Sequence, residues 1–207
     1  MTPCHMEEKI PKEVFYNLTK EKQEKIIFVF KEAFEAKPFQ KVNVKEIVEK
    51  AGIARSSFYQ YFKNLEDAYF TILNKETVDI HKLFMKMFLL ENRNLSEALI
   101  AHGHKIADIL FDENTYMIYK NRYLYWNEDL NHSWEASHKN QEELFKGMSD
   151  KVLMDLEKIH FVKSVIHSLI QRLFRENWSK EEFIEKYIKH LSWIEKGVTY
   201  GNCWKFI

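Results

Sequence analysis

The chain has 207 residues, of which 45% are hydrophobic and 30% charged, with only 5 Gly and 3 Pro. That is enough apolar surface for a sizeable core, and so few chain-breaking residues argue against a turn-rich sheet protein and for an all-α chain. The 31 Lys and Arg balance 31 Asp and Glu, which excludes a uniformly basic surface and leaves nucleic-acid binding to a local patch.

The segment around Cys4, His5, Glu7 and Glu8 lacks the apolar core of a signal peptide. No run approaches the roughly 18 apolar residues of a membrane span, so a cytoplasmic location without a membrane partner is expected. Cys4 and Cys203 lie near opposite ends of the chain, poor spacing for a disulfide or a zinc site. Thr19 is expected to open a helix from Lys20 to Lys37 that turns Ile26, Ile27, Phe30, Ala33 and Phe34 inward and stops at Pro38. Asn43 then caps a short helix with the apolar stripe Ile47, Val48 and Ala51, and Gly52 supplies a turn that needs positive φ. The next helix, about Arg55 to Tyr61, buries Phe58 and Phe62 at i and i+4 and leaves Arg55, Ser56, Tyr59 and Gln60 on another face. Two short helices joined in this way form a helix-turn-helix, which places one helix in a DNA groove. Lys22, Lys41, Lys45, Arg55 and Lys63 are candidates for the basic patch.

Asn64, with Asp67 three residues on, opens what reads as a single helix from 64 to 90. The pattern breaks at Asn92 to Leu95, and Ser96 can cap a helix through Phe111. Residues 114–126 are rich in aromatics, a polar helix is expected from Trp134 to about Lys146, and Gly147 is its stop. A helix over 155–176 carries the stripe Ile159, Val162, Ile166, Leu169 and Leu173, widened by Phe161, Val165 and Phe174. Ser179 and Glu182 form a capping box for the last helix, which carries Phe183, Ile184, Tyr187, Ile188, Leu191 and Ile194. The expected domains are 1–63, an arm with the helix-turn-helix, and 64–207, a helical remainder.

The run Phe58-Tyr59-Gln60-Tyr61-Phe62-Lys63, in register with Gly52, Asn43 and the helix opened by Thr19, resembles the TetR family of bacterial transcriptional regulators. The motif match spans roughly residues 16 to 70; beyond it only helix count and length agree. Three positions depart from the family pattern. Ala54 stands where Ser or Thr often caps the recognition helix, a loss of about 1 kcal/mol. Pro38 replaces a Gly, and Leu65 replaces a Lys that often touches phosphate. The resemblance implies that Lys45 and Arg55 read bases, Arg55 by a bidentate bond to guanine, while Asn43, Ser57, Tyr59, Tyr61 and Lys63 position the phosphates and Ser56 and Gln60 share the exposed face. It also implies a homodimer through the last two helices, for which Val162, Ile166, Leu169, Leu173, Ile184, Ile188 and Leu191 are the interface candidates. A small hydrophobic or aromatic effector is implied as well, with Phe84, Phe88, His104, Phe111, Tyr123, Trp126 and His167 as candidate pocket residues.

His102-Gly103-His104 with Asp108 has a spacing seen in some metal hydrolases. Residues two apart on a helix diverge by about 200°, however, so no metal, cofactor or catalytic residue is expected there. Neither a Gly-rich phosphate loop nor a Gly-x-Ser-x-Gly elbow occurs. The expected function is a dimeric, sequence-specific DNA-binding repressor that a small molecule releases from a roughly palindromic operator. The alternatives are a regulator under a protein partner or without an effector and, more distantly, an all-helical metal-dependent enzyme.

Overall fold

A computed structural model describes residues 10–90, 94–137 and 156–199. Among the described residues the chain is helical and contains no strand, in keeping with the all-α reading. Contacts gather it into two compact units, one of Met1–Thr77 with Tyr125–His138 and one of Val78–Leu124 with Lys139–Ile207. The sequence-based boundary at 63/64 falls ahead of this division.

The first unit holds α1 (Glu13–Tyr16), α2 (Lys20–Ala36), α3 (Val44–Ala51), α4 (Arg55–Tyr61), α5 (Leu65–Glu76) and α9 (Glu128–Ser137). Thr19 caps α2 by accepting the Lys22 N–H, and Lys37, extended at φ −158° as a residue before proline prefers, ends it. Phe30, Phe58 and Phe62 meet with centroids 5.4–6.0 Å apart and, with Ile26, Ile47 and Ile72, are fully buried. Each such side chain contributes about 1.5–3 kcal/mol of transfer free energy. Helix α9 packs on α5, setting Trp134 edge-on to Phe70 at 5.1 Å and 5.9 Å from Trp126. It begins at Glu128, capped by Asn127, whose Oδ1 accepts the Leu130 N–H. The expected start at Trp134 is therefore too late, because the polar first turn hides its periodicity. Its expected end and Gly147 lie outside the described residues.

The second unit holds α6 (Ile80–Leu90), α7 (Leu95–Leu110), most of α8 (Tyr116–Tyr125), α10 (Leu156–Glu176) and α11 (Lys180–Thr199), with α7 packed on both α6 and α11. The single helix expected over 64–90 is two helices. Thr77 is extended (φ −117°, ψ 149°), and its hydroxyl donates to the Leu73 carbonyl at 2.6 Å. The Val78 N–H donates to the Tyr119 hydroxyl at 2.7 Å, and Asp79 then accepts the Lys82 N–H as a new cap. Side-chain bonds take over the backbone groups at the break, while the apolar pattern runs on across it, so periodicity gives no warning. Helix α7 is capped by Asn94, whose Oδ1 accepts from the Ser96 and Glu97 N–H groups, and not by Ser96. The α11 capping box forms in full: the Ser179 N–H donates to Glu182 at 2.8 Å and the Glu182 N–H to the Ser179 hydroxyl at 3.2 Å.

Candidate nucleic-acid interface

Asn43 Oδ1 accepts the Glu46 N–H at 2.9 Å and starts α3. Gly52 ends it in the left-handed region at φ 67°, ψ 35°. A Cβ at Gly52 would meet only Lys25 Nζ, at 3.8 Å, so the backbone conformation, and not lack of space, calls for glycine. Helix α4 follows after Ala54, which offers no side-chain cap, as the sequence implies.

Phe58 and Phe62 anchor α4 in the core, and Arg55, Ser56, Tyr59 and Gln60 stand exposed on it together, with Ser57 half-buried. The Arg55 guanidinium lies 5.9 Å from the centroid of Tyr59, which is 42% exposed. This cation–π contact restricts a long side chain before any ligand arrives. Lys45 is exposed and its 4.0 Å pair with Glu49 is open to solvent, a contact worth little and easily given up to a phosphate. Lys22, Lys41 and Lys63 are also exposed. Glu46, the acid beside the Asn43 cap, hydrogen-bonds Lys37 and lies 3.7 Å from Lys50. The Lys37 hydrogen bond holds its carboxyl below the usual carboxylate range, so its negative charge is met within the protein.

Tyr61 departs from the expected phosphate role. It is 5% exposed and packs at 6.0 Å against Phe15, because the C-terminal turn of α4 is covered by a segment whose sequence carries no periodic signal. That segment, Pro11 through α1, brings in Lys12, which sequence reasoning missed. Its N–H donates to the Tyr61 carbonyl at 2.9 Å and its Nζ to the Tyr59 carbonyl at 3.2 Å.

Three of the seven effector candidates fall in one row of rings. Phe111, Tyr123 and His167 belong to an aromatic row running Phe111, Tyr116, Phe174, Tyr123, His167, with successive centroids 5.4–6.2 Å apart. Phe84 packs instead on His102 at 5.4 Å, His104 is exposed, and Trp126 belongs to the first unit beside Phe70 and Trp134. The Phe88 side chain lies outside the described residues. Burial lowers the His167 pKa to about 4, with Lys163 and Arg122 adding to the effect, and burial pushes the Tyr123 hydroxyl up.

His102 explains itself without a metal. Its Nε2 is 2.9 Å from the Ile80 carbonyl, which can only accept, so Nε2 carries the proton and Nδ1 accepts from the Tyr187 hydroxyl at 3.2 Å. Burial lowers its pKa to about 4. A Cβ on Gly103 would lie 2.4 Å from Tyr187 Cε1, so Gly103 is what lets that ring rest on α7. Asp108 pairs with Lys180 at 2.8 Å. The His102, His104 and Asp108 side chains thus have three different surroundings.

Among the interface candidates, Val162, Ile166, Leu169, Leu173 and Leu191 are buried within the chain itself, Ile184 is half-buried and Ile188 is 40% exposed. Leu169 and Leu173 are the deepest of these, at 2% and 0% exposure. An amphipathic stripe marks which face is buried, not which partner buries it. Three large apolar side chains of α10 and α11 are exposed, Phe161 (52%), Ile188 (40%) and Trp193 (55%), the last two on opposite flanks of α11. A shallow groove of about 320 Å³ is lined in part by Phe161, Val165, Arg172 and His190.

A family model described as "Bacterial regulatory proteins, tetR family" matches residues 30–67, and one described as "Tetracyclin repressor, C-terminal domain" matches residues 95–197. Among curated proteins no sequence match is found. Among solved structures, the chain is similar to NalD of Pseudomonas aeruginosa, described as the secondary repressor of the MexAB-OprM multidrug efflux pump. One NalD structure aligns with TM-score 0.60 at 16% identity over 84% of this chain and 96% of that one. A second gives 0.60 at 15% identity over 84% and 94%. A putative TetR-family regulator of Mesorhizobium loti aligns with TM-score 0.54 at 16% identity over 86% and 98%. At these identities the structural likeness speaks for the fold.

Proposed function

Since the chain belongs to the TetR family of bacterial regulatory proteins and is a DNA-binding transcriptional regulator, not an enzyme, we propose that it is a cytoplasmic homodimeric repressor that a small, largely apolar molecule releases from a roughly palindromic operator. The observation that carries this reading is the face of α4 on which Arg55, Ser56, Tyr59 and Gln60 stand exposed over a core of phenylalanines. In this reading Arg55 and Lys45 contact base edges, and Asn43, Ser57, Tyr59 and Lys63 hold phosphates. The first unit is the DNA-binding domain and the second the effector and dimerisation domain. No described helix is long and apolar enough to cross a membrane.

Dimerisation through the exposed apolar side chains of α10 and α11, Phe161 and Trp193 among them, would cover apolar surface, and a two-fold dimer suits half-sites about 34 Å apart, one turn of duplex. The aromatic row from Phe111 to His167 supports an apolar effector site, and the likeness to NalD, a repressor of a multidrug efflux pump, supports repression. Control by a protein partner, or no effector at all, is the second reading. The exposure of His104, one of the candidate pocket residues, favours it.

Selection of bound sequences from random duplex DNA, paired with sedimentation, tests the proposal. A palindromic consensus bound by a dimer, with affinity falling steeply in salt, is the expected result. A monomer at micromolar concentration or a pool without enrichment overturns it. An effector should raise the melting temperature and weaken operator binding by a coupling of about 1–3 kcal/mol.

A further inference from the structure

Helix α4 has seven residues and no side-chain cap at its N-terminus, too short to hold its shape in water by itself. At its other end the last four carbonyls have no partner within the helix. The Phe58 carbonyl accepts the Phe62 N–H at 2.8 Å. Lys12 supplies two of the other donors, its N–H to Tyr61 and its Nζ to Tyr59. The ammonium group also sits at the negative end of the helix dipole. Phe15, three residues on and buried, lies 6.0 Å from Tyr61 and 5.5 Å from Phe62. Tyr59, whose carbonyl receives the Lys12 ammonium, also carries the ring beneath the Arg55 guanidinium.

We propose that Lys12 is a positioning residue for DNA recognition, which caps the C-terminal end of α4 from 47 residues away and so fixes the helix against which Arg55 and Tyr59 are presented. Lys12 acts on α4 and makes no contact with phosphate. The inference rests on DNA binding through α4 and adds a residue outside the helix-turn-helix to it.

The test measures Lys12→Met, Lys12→Arg and Arg55→Ala in the full chain, on a duplex selected by the wild-type protein and on a scrambled duplex, over a range of salt. Loss of one hydrogen bond to an orphan carbonyl should weaken Lys12→Met on the selected duplex about 2- to 10-fold. Its affinity for the scrambled duplex and the slope of log K against log salt should stay unchanged, and Lys12→Arg should restore most of the loss. Equal weakening on both duplexes with a slope shallower by about one is the signature of a direct phosphate contact and overturns the proposal. So does wild-type affinity in Lys12→Met once the folded fraction has been set by thermal melting. Arg55→Ala separates the two failures: if it too leaves affinity and preference unchanged, reading through α4 is wrong, and if it lowers them, only the role of Lys12 falls.

Discussion

The two units place their polar groups in opposite ways. In the first unit the cationic and hydroxyl groups of the candidate interface stand outside a core of phenylalanines and isoleucines. In the second, His102 and Tyr187 are hydrogen-bonded to each other inside the fold and His167 lies against Tyr123. Substitutions at the first unit's exposed polar groups should therefore change affinity and leave stability alone, whereas substitutions at the second's buried ones should change stability first.

The largest effect expected tests where the second unit's true interior lies. Ile166→Glu buries an unpaired charge and should cost about 4 kcal/mol or more, unfolding the unit. Phe161→Glu, at an exposed apolar position of α10, should separate dimers into folded monomers. Sedimentation and circular dichroism of the pair check this, and a folded Ile166→Glu dimer would refute the assignment of faces.

Acid should come next. His102 and His167 titrate near 4 in the folded chain against about 6.5 unfolded. Their neutral burial is fully compatible with folding above pH 6.5. As pH falls from there toward 4, the unfolded chain takes up protons that the folded chain refuses, and stability drops by up to ~3 kcal/mol for each histidine. Urea midpoints between pH 7.5 and 4.5 should fall, and less steeply for His102→Gln. An unchanged profile in that variant would remove His102 from the account.

Gly103→Ala should cost ~1–3 kcal/mol, because the new methyl meets a buried ring and displaces the Tyr187 hydroxyl from His102. Thermal melting reads this, and a neutral result would mean that α7 and Tyr187 can part cheaply. Smallest in stability is Arg55→Ala, expected to leave the melting point within about a degree of wild type while costing ~1–3 kcal/mol of binding and relaxing preference at one base pair. A large drop in melting temperature would show that the first unit's surface and core are not separable in this way.

What was legible in the sequence follows the same division. Asn43, Gly52, Phe58 and Phe62 each answer to a local rule, a cap, a positive φ or an i, i+4 pair, so the helix-turn-helix can be read directly from them. The break at Thr77 depends on a hydroxyl from Tyr119, 41 positions from Val78, and the hold on α4 depends on Lys12, 47 from Tyr59. Such contacts leave no local pattern. The stripe on α10 was visible as apolar, but Phe161 is 52% exposed and Leu169 2%, and periodicity is blind to whether another element covers a given apolar residue.

The place of α9 has a consequence for how such a protein can be inherited in pieces. The first unit is completed by a helix encoded far downstream, and the chain passes between the units three times, after Thr77, Leu124 and His138. A gene fragment ending at residue 77 would yield the DNA-binding helices with Phe70 stripped of Trp126 and Trp134, an apolar face prone to association. Recombination by one crossover at that point would join α5 to a stranger's α9. Exchange of recognition specificity between relatives therefore needs two exchanged segments, or a substitution confined to α4 and the strap that holds it.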